Sequence, residues 1–180
     1  MYSVPGFESE WFWDYWKDPT NIRQNVVDFM KENYPPSFAY PHFAADFTAE
    51  FYNPEEWADI FKASGAKYIV FTTKHADGYT NWPSQFSHNW NSNATGPSRD
   101  IVGELANAIR QKTNIKFGLY HCLYEWFNPL FINDMRKDFT TNKFTEVCIP
   151  DIIIHNTIII EYIYAKTTTT RNIYKRSTKV

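Results

Sequence analysis

The chain has 180 residues, enough for one domain and too few for two of ordinary size. Lys and Arg number 18 against 20 Asp and Glu, a formal net charge of -2, which excludes nucleic acid as the main ligand because no polyanion would be drawn to the chain. Aromatic residues make up 19%, seven of them Trp. Trp and Tyr beside polar groups suit a sugar, whose C–H faces pack on rings while its hydroxyls take hydrogen bonds, although for any single ring a place in the core is the simpler reading.

The first residues, Met1-Tyr2-Ser3-Val4-Pro5, show neither the basic nor the apolar region of a signal peptide. Residues 2–16 are rich in rings, carry Glu8, Glu10 and Asp14, and give no clear helix or strand signature. On the residues alone this stretch reads as a loop lying over the surface with solvated acids. The competing reading is a carboxylic acid desolvated among rings, the setting of a general acid.

Asp18-Pro19 offers a cap and first-turn proline for a helix running to about Asn33, with Ile22, Val26, Phe29 and Met30 on one face, ended by Pro35-Pro36. Residues 37–52 read as irregular and aromatic. Asn53-Pro54-Glu55-Glu56 is a strong helix start, with Trp57, Ile60 and Phe61 as its buried stripe and Gly65 as its stop. Residues 67–73 then read as a buried strand, being β-branched and aromatic between Gly65 and a polar loop.

After the loop at 74–98, Val102, Leu105, Ala106 and Ile109 set a helical period over 99–112, and residues 115–121 give a second strand. Strand, helix, strand implies parallel pairing. Lys74 with His75, and Tyr120 with His121, then lie on one rim, with Glu125-Trp126 in the following loop. A strand that delivers polar groups to a rim is how α/β barrels build active sites.

The last part differs in composition. After Cys148 it is dominated by Ile, Thr, Asn, Tyr and Lys, and Ile149 to Tyr164 is interrupted by Asp151, His155, Asn156 and Glu161, so it is no membrane span. Cys122 and Cys148 form neither a disulfide framework nor a metal spacing. His75 and His121 have no third ligand at suitable spacing, so no metal and no cofactor are expected. Asn93-Ala94-Thr95 is a glycosylation sequon.

Several stretches in combination resemble the α-L-fucosidases of glycoside hydrolase family 29. They are Tyr2-Ser-Val-Pro through Ser9-Glu10-Trp11-Phe12-Trp13, Asn33-Tyr34-Pro35, Phe47-Thr-Ala-Glu-Phe51, Pro54-Glu-Glu-Trp57 and Gly65-Ala-Lys-Tyr-Ile-Val through Thr73-Lys-His75. Asp77-Gly78-Tyr79-Thr-Asn-Trp-Pro-Ser84, Trp90-Asn91-Ser92, Arg99-Asp100, Val102-Gly-Glu-Leu105, Gly118-Leu-Tyr-His121 and Glu125-Trp126 complete the set. The resemblance implies an α/β fold, part of a (β/α)8 barrel of the TIM type incomplete at both ends, with residues 1–147 as the N-terminal part of the catalytic barrel. Residues 148–180 form a non-matching tail, expected to be disordered or misjoined.

It also implies retaining hydrolysis of terminal α-L-fucose from glycoproteins and glycolipids, with fucosylated glycans as partners, neither nucleic acid nor membrane, homo-oligomers among full-length relatives, and a lysosomal or secreted setting. Two carboxyl groups do this chemistry, one attacking the anomeric carbon and one protonating the departing oxygen. Carried over, Glu10 is the candidate acid/base, His75, His121, Trp82 and Trp126 contact the sugar, and Asn93 carries a glycan.

Three departures stand out against the family pattern. Ala76 occupies the place of a second His, the His-Trp-Gly strand that precedes Tyr2-Ser-Val-Pro is not matched, and no Trp-x-Asp-Gly nucleophile setting occurs. Asp151, in Pro150-Asp151-Ile152, lacks that Trp and that Gly. The expectation is a chain inactive by itself, and the alternative is a non-catalytic fucose-binding or interaction remnant.

Overall fold

The computed structural model describes residues 8–122 and 124–137; the stretch at 1–7 and the tail read at 148–180, with Cys148 and Asp151, lie outside them. Two strands, β1 (Tyr68–Lys74) and β2 (Lys116–His121), pair in parallel. The helix between them is α5 (Ile101–Lys112), and the helix leading into β1 is α4 (Pro54–Ala63). The expected order of strand, helix and parallel strand therefore holds.

Both helices begin where side-chain chemistry permits. The Asn53 side chain accepts from the backbone N–H of Glu55 and Glu56 at 3.1 and 3.2 Å, with Pro54 at the first helical position. Asp100 does the same for Gly103 at 2.8 Å. Each such cap is worth about 1 kcal/mol. Gly65, at φ 76°, closes α4 in the left-handed region that glycine enters freely, and the chain turns directly into β1.

One face of the sheet carries Phe71 and Phe117, which pack with Ala58, Leu105, Ala108 and Ile109 between the strands and the two helices. The stripe on α4 differs from the sequence reading. Ala58 is its fully buried residue, whereas Ile60 is 55% exposed. The exposed Tyr68 and Val70 alternate with Ile69 and Phe71 along β1, as the twofold period of a strand requires.

A second core lies at the other side of the chain. Helices α1 (Phe12–Lys17), α2 (Gln24–Asn33) and the short α3 (Phe43–Asp46) bury Phe12, Val26, Met30, Tyr40, Phe43 and Ala44 together with Tyr79. Residues 12–17 are helical despite the poor helix propensity of their rings, because those rings are held by tertiary packing. Helix α2 starts at Gln24, not at Pro19: the Asp18 carboxylate accepts from the N–H and hydroxyl of Thr20 and makes a local turn, which leaves Ile22 55% exposed. The region read as irregular contains a 3-10 turn (Tyr40–His42) followed by α3. A last helix, α6 (Pro129–Arg136), is capped by Asn128.

Candidate active site

The site starts from an irregularity in β1. Register runs evenly from Tyr68 opposite Lys116 to Thr72 opposite Tyr120, then shifts so that Lys74 faces His121. Such a bulge re-aims side chains at a strand end. It sets Lys74, 2% exposed, beneath the loops that follow both strands.

Lys74 Nζ binds Glu125 Oε1 at 3.0 Å and donates to the carbonyls of Cys122 and Tyr124 at 2.7 and 3.4 Å. The other Glu125 oxygen accepts from the Asn128 side chain. This buried pair fastens the loop after β2 to the end of β1, and Trp126 N–H donates to Ala76 O at 2.9 Å to complete the attachment. Close approach here requires Gly78, at φ 80°: a Cβ on it would stand 3.3 Å from the Glu125 carboxyl carbon.

The long loop after β1 is as firmly held. Asn81 N–H donates to Thr73 O, its side-chain amide to Thr72 O, the Trp90 indole N–H to Asp77 O, and the Tyr79 hydroxyl to Thr95 O. Asp77 is 4% exposed, accepts from Tyr79 N–H at 3.2 Å, and lies 3.5 Å from the Tyr40 hydroxyl. Burial pushes its carboxyl up to about 6, while the Tyr79 N–H and the Lys74 charge act the other way.

The structure sorts the predicted residues into two neighbouring groups. His75 lies with Trp126, ring centroids 6.2 Å apart, and over Tyr120 at 6.0 Å. Burial lowers the pKa of its imidazole, and the Glu10 carboxylate opposes that effect, so Glu10 lies within electrostatic reach of His75. Glu10 sits in a 3-10 turn (Ser9–Trp11) that leads into α1. Its neighbour Trp11 meets Trp126 at 5.3 Å, which links this turn to the loop after β2. Glu10, His75 and Trp126 thus share one partly open rim.

His121 and Trp82 form the second group, with ring centroids 5.7 Å apart, exposed only 6% and 7%. Burial, then the Lys74 charge, brings the His121 pKa down to about 3, so its ring is neutral near pH 7. Among the described residues its buried Nε2 has no hydrogen-bond partner. A neutral imidazole with one nitrogen open can exchange a hydrogen bond with a hydroxyl. Asn93 lies exposed on the loop before α5, its N–H donating to the Asn91 side chain.

The sequence places Lys74 and Glu125 near the rim without pairing them, and it carries no local signal for Trp11 against Trp126 or for the Tyr40–Asp77 contact. The ion pair spans fifty-one positions, and no local period reveals it. Among the described residues no helix is long and apolar enough to cross a membrane, and no three His, Cys, Asp or Glu side chains gather as a metal site would need.

The family model described as Alpha-L-fucosidase matches residues 1–175. An alpha-L-fucosidase of Branchiostoma floridae is 55% identical over 147 residues, 81% of this chain and 32% of the relative. The tissue alpha-L-fucosidase of Bos taurus is 56% identical over 144 residues, covering 80% and 30%, and the plasma alpha-L-fucosidase of Homo sapiens 54% identical over the same shares. The match therefore spans about a third of the length of these curated relatives.

Among solved structures, the alpha-fucosidase of Thermotoga maritima superposes with a TM-score of 0.63 at 29% identity, over 89% of this chain and 42% of that one. The same enzyme in complex with fucose gives 0.57 at 30% identity, over 79% and 36%. A family model that takes in nearly the whole sequence, and relatives more than half identical over four fifths of it, lead to one conclusion: this chain belongs to the alpha-L-fucosidase family.

Proposed function

We propose that this chain carries the fucose-binding rim and the acid/base carboxyl of a retaining glycosidase that removes terminal α-L-fucose from glycans. The observation that supports it most is the run of ring contacts from Trp11, the neighbour of Glu10, through Trp126 to His75 at the C-terminal end of β1, where a parallel α/β fold presents its reacting groups. In this reading β1 and β2 are adjacent strands of a (β/α)8-type barrel. The solved relative in complex with fucose supports the choice of sugar.

His75 hydrogen-bonds a fucose hydroxyl, Trp126 packs against the ring face, and Glu10 protonates the oxygen that leaves with the rest of the glycan. His121 presents its open nitrogen to a further hydroxyl, and Trp82 holds that imidazole in place. No described carboxylate is assigned as nucleophile, and the absence of a Trp-x-Asp-Gly setting leads us to expect binding without appreciable turnover from this chain alone. Relatives named as tissue and plasma enzymes support a lysosomal or secreted setting, with Asn93 glycosylated. Loss of one glycan mass in Asn93→Gln, expressed through a secretory route, checks that last assignment.

The test is calorimetric titration of the folded chain with L-fucose, together with assay on an aryl α-L-fucoside. Binding is expected in the wild type, weakened about three- to tenfold in His75→Ala, the value of one lost hydrogen bond. A folded wild type with no affinity for L-fucose would overturn the reading. Turnover abolished by Asp151→Ala would contradict the expectation of a silent chain, and identify a nucleophile outside the described residues.

A further inference from the structure

Two parallel strands have no reason to stay together beyond their last ladder bond, yet the chains that leave β1 and β2 do. Cys122 N–H donates to Lys74 O at 3.0 Å, and further out Trp126 N–H donates to Ala76 O at 2.9 Å. Lys74 Nζ crosses the same gap to Glu125 Oε1 at 3.0 Å and to the carbonyls of Cys122 and Tyr124. Gly78 follows on the β1 side, so close to the Glu125 carboxyl that a side chain there would press on it.

This seam carries two rings. His75 comes directly after Lys74 in the chain and Trp126 directly after Glu125, so each member of the ion pair holds one ring of the rim on its next residue. The two rings meet at 6.2 Å with 67° between their planes. Rings that must be gathered when a sugar arrives lose affinity to the cost of ordering them, and a rim assembled beforehand does not.

Stability by itself explains the pair poorly. The side chains of Lys74 and Glu125 are 2% and 11% exposed, and taking both charges out of water costs about as much as their attraction returns. Their distinctive effect is geometric, since one cation shared by a carboxylate and two carbonyls allows the second loop a single arrangement against the first. We propose that Lys74 and Glu125 are positioning residues for the sugar, their pair setting the spacing of His75 and Trp126 before fucose arrives. The proposal rests on the fucose-binding reading of the rim.

The experiment separates position from stability. The double variant Lys74→Met/Glu125→Gln removes both charges of the pair, whereas Leu105→Ala opens a cavity in the core between the strands and helices and leaves the rim untouched. Each full chain is titrated with L-fucose by calorimetry, and the His75 imidazole and Trp126 indole signals are recorded by NMR before sugar is added. The double variant is expected to bind L-fucose about five- to tenfold more weakly than wild type, with both ring signals already displaced. Glu125→Asp, which keeps both charges and withdraws the carboxylate by one methylene, should lose about two- to threefold. Leu105→Ala should unfold at lower urea and keep both the affinity and the ring signals of wild type. Wild-type affinity in the two pair variants, or a loss in Leu105→Ala equal to that of the double variant, would overturn the positioning role while the fucose site stands. A wild type that binds no L-fucose removes the fucose site and this role together.

Discussion

Replacing Lys74 by Met keeps most of the side-chain volume and removes the charge that three acceptors share. The Lys74 side chain is 2% exposed and that of Glu125 11%, so neither charge recovers much hydration when its partner is lost. In Lys74→Met the Glu125 carboxylate keeps, among the described residues, only the Asn128 amide, and the Cys122 and Tyr124 carbonyls lose a donor. Breaking a buried pair on one side costs about 3–5 kcal/mol. With a urea dependence of about 2 kcal/mol per molar for a chain of this size, the unfolding midpoint should fall by roughly 2 M. The double variant Lys74→Met/Glu125→Gln removes the stranded charge while the Gln can still accept from Asn128, so it should recover more than half of the loss. A shift below about 0.5 M in the single variant, or a double variant no more stable than the single, would refute the view that this pair fastens the two loops.

Two opposing groups shape the dependence on pH. The native pKa of Asp77 is raised to about 6, so its contribution to stability is complete below its unfolded value and fades as pH climbs from about 4 through 6. His121 is held down to about 3, so its contribution is complete above its unfolded value near 6.5 and fades as pH falls toward 3. The wild-type profile between pH 4 and 6 should therefore be shallow, while Asp77→Asn should gain stability relative to wild type by about 2–3 kcal/mol as pH rises across that window. Urea midpoints at several pH values test this, and a difference between the two proteins that stays constant with pH contradicts it. Gly78→Ala should lose about 1–2 kcal/mol because a side chain is strained at φ 80°, and it should press on the Glu125 carboxyl. Tryptophan fluorescence of its folded state should report displacement of Trp126, and wild-type stability and emission would count against the close contact.

The parts of this molecule legible in its sequence are those with local signals. The Asn53 and Asp100 caps, the stop at Gly65 and the β-branched run into Lys74 each act within a few residues, and the structure reproduces their helices and strands with shifts of one or two positions. The segment around Trp11 and Phe12 was not legible, because its helix exists through contacts with Val26, Phe29 and Phe43, distant in sequence. Asp18-Pro19 misled because Asp18 spends its oxygen on Thr20. At the site, the adjacency of His75 to the end of β1 follows from strand periodicity, whereas the register shift at the end of β1 and the long-range contact of Trp11 with Trp126 have no local signal.

The central claim, that the rim formed by Glu10, His75 and Trp126 receives L-fucose, is tested most directly by NMR of the ring signals as the sugar is added. The indole N–H of Trp126 and the imidazole protons of His75 should shift together along one saturable curve. Trp57, packed against Phe61 and Tyr52 on the helical side, should stay still. Movement of Trp57 in step with Trp126, or no movement of His75 and Trp126 at saturating fucose, would contradict the account.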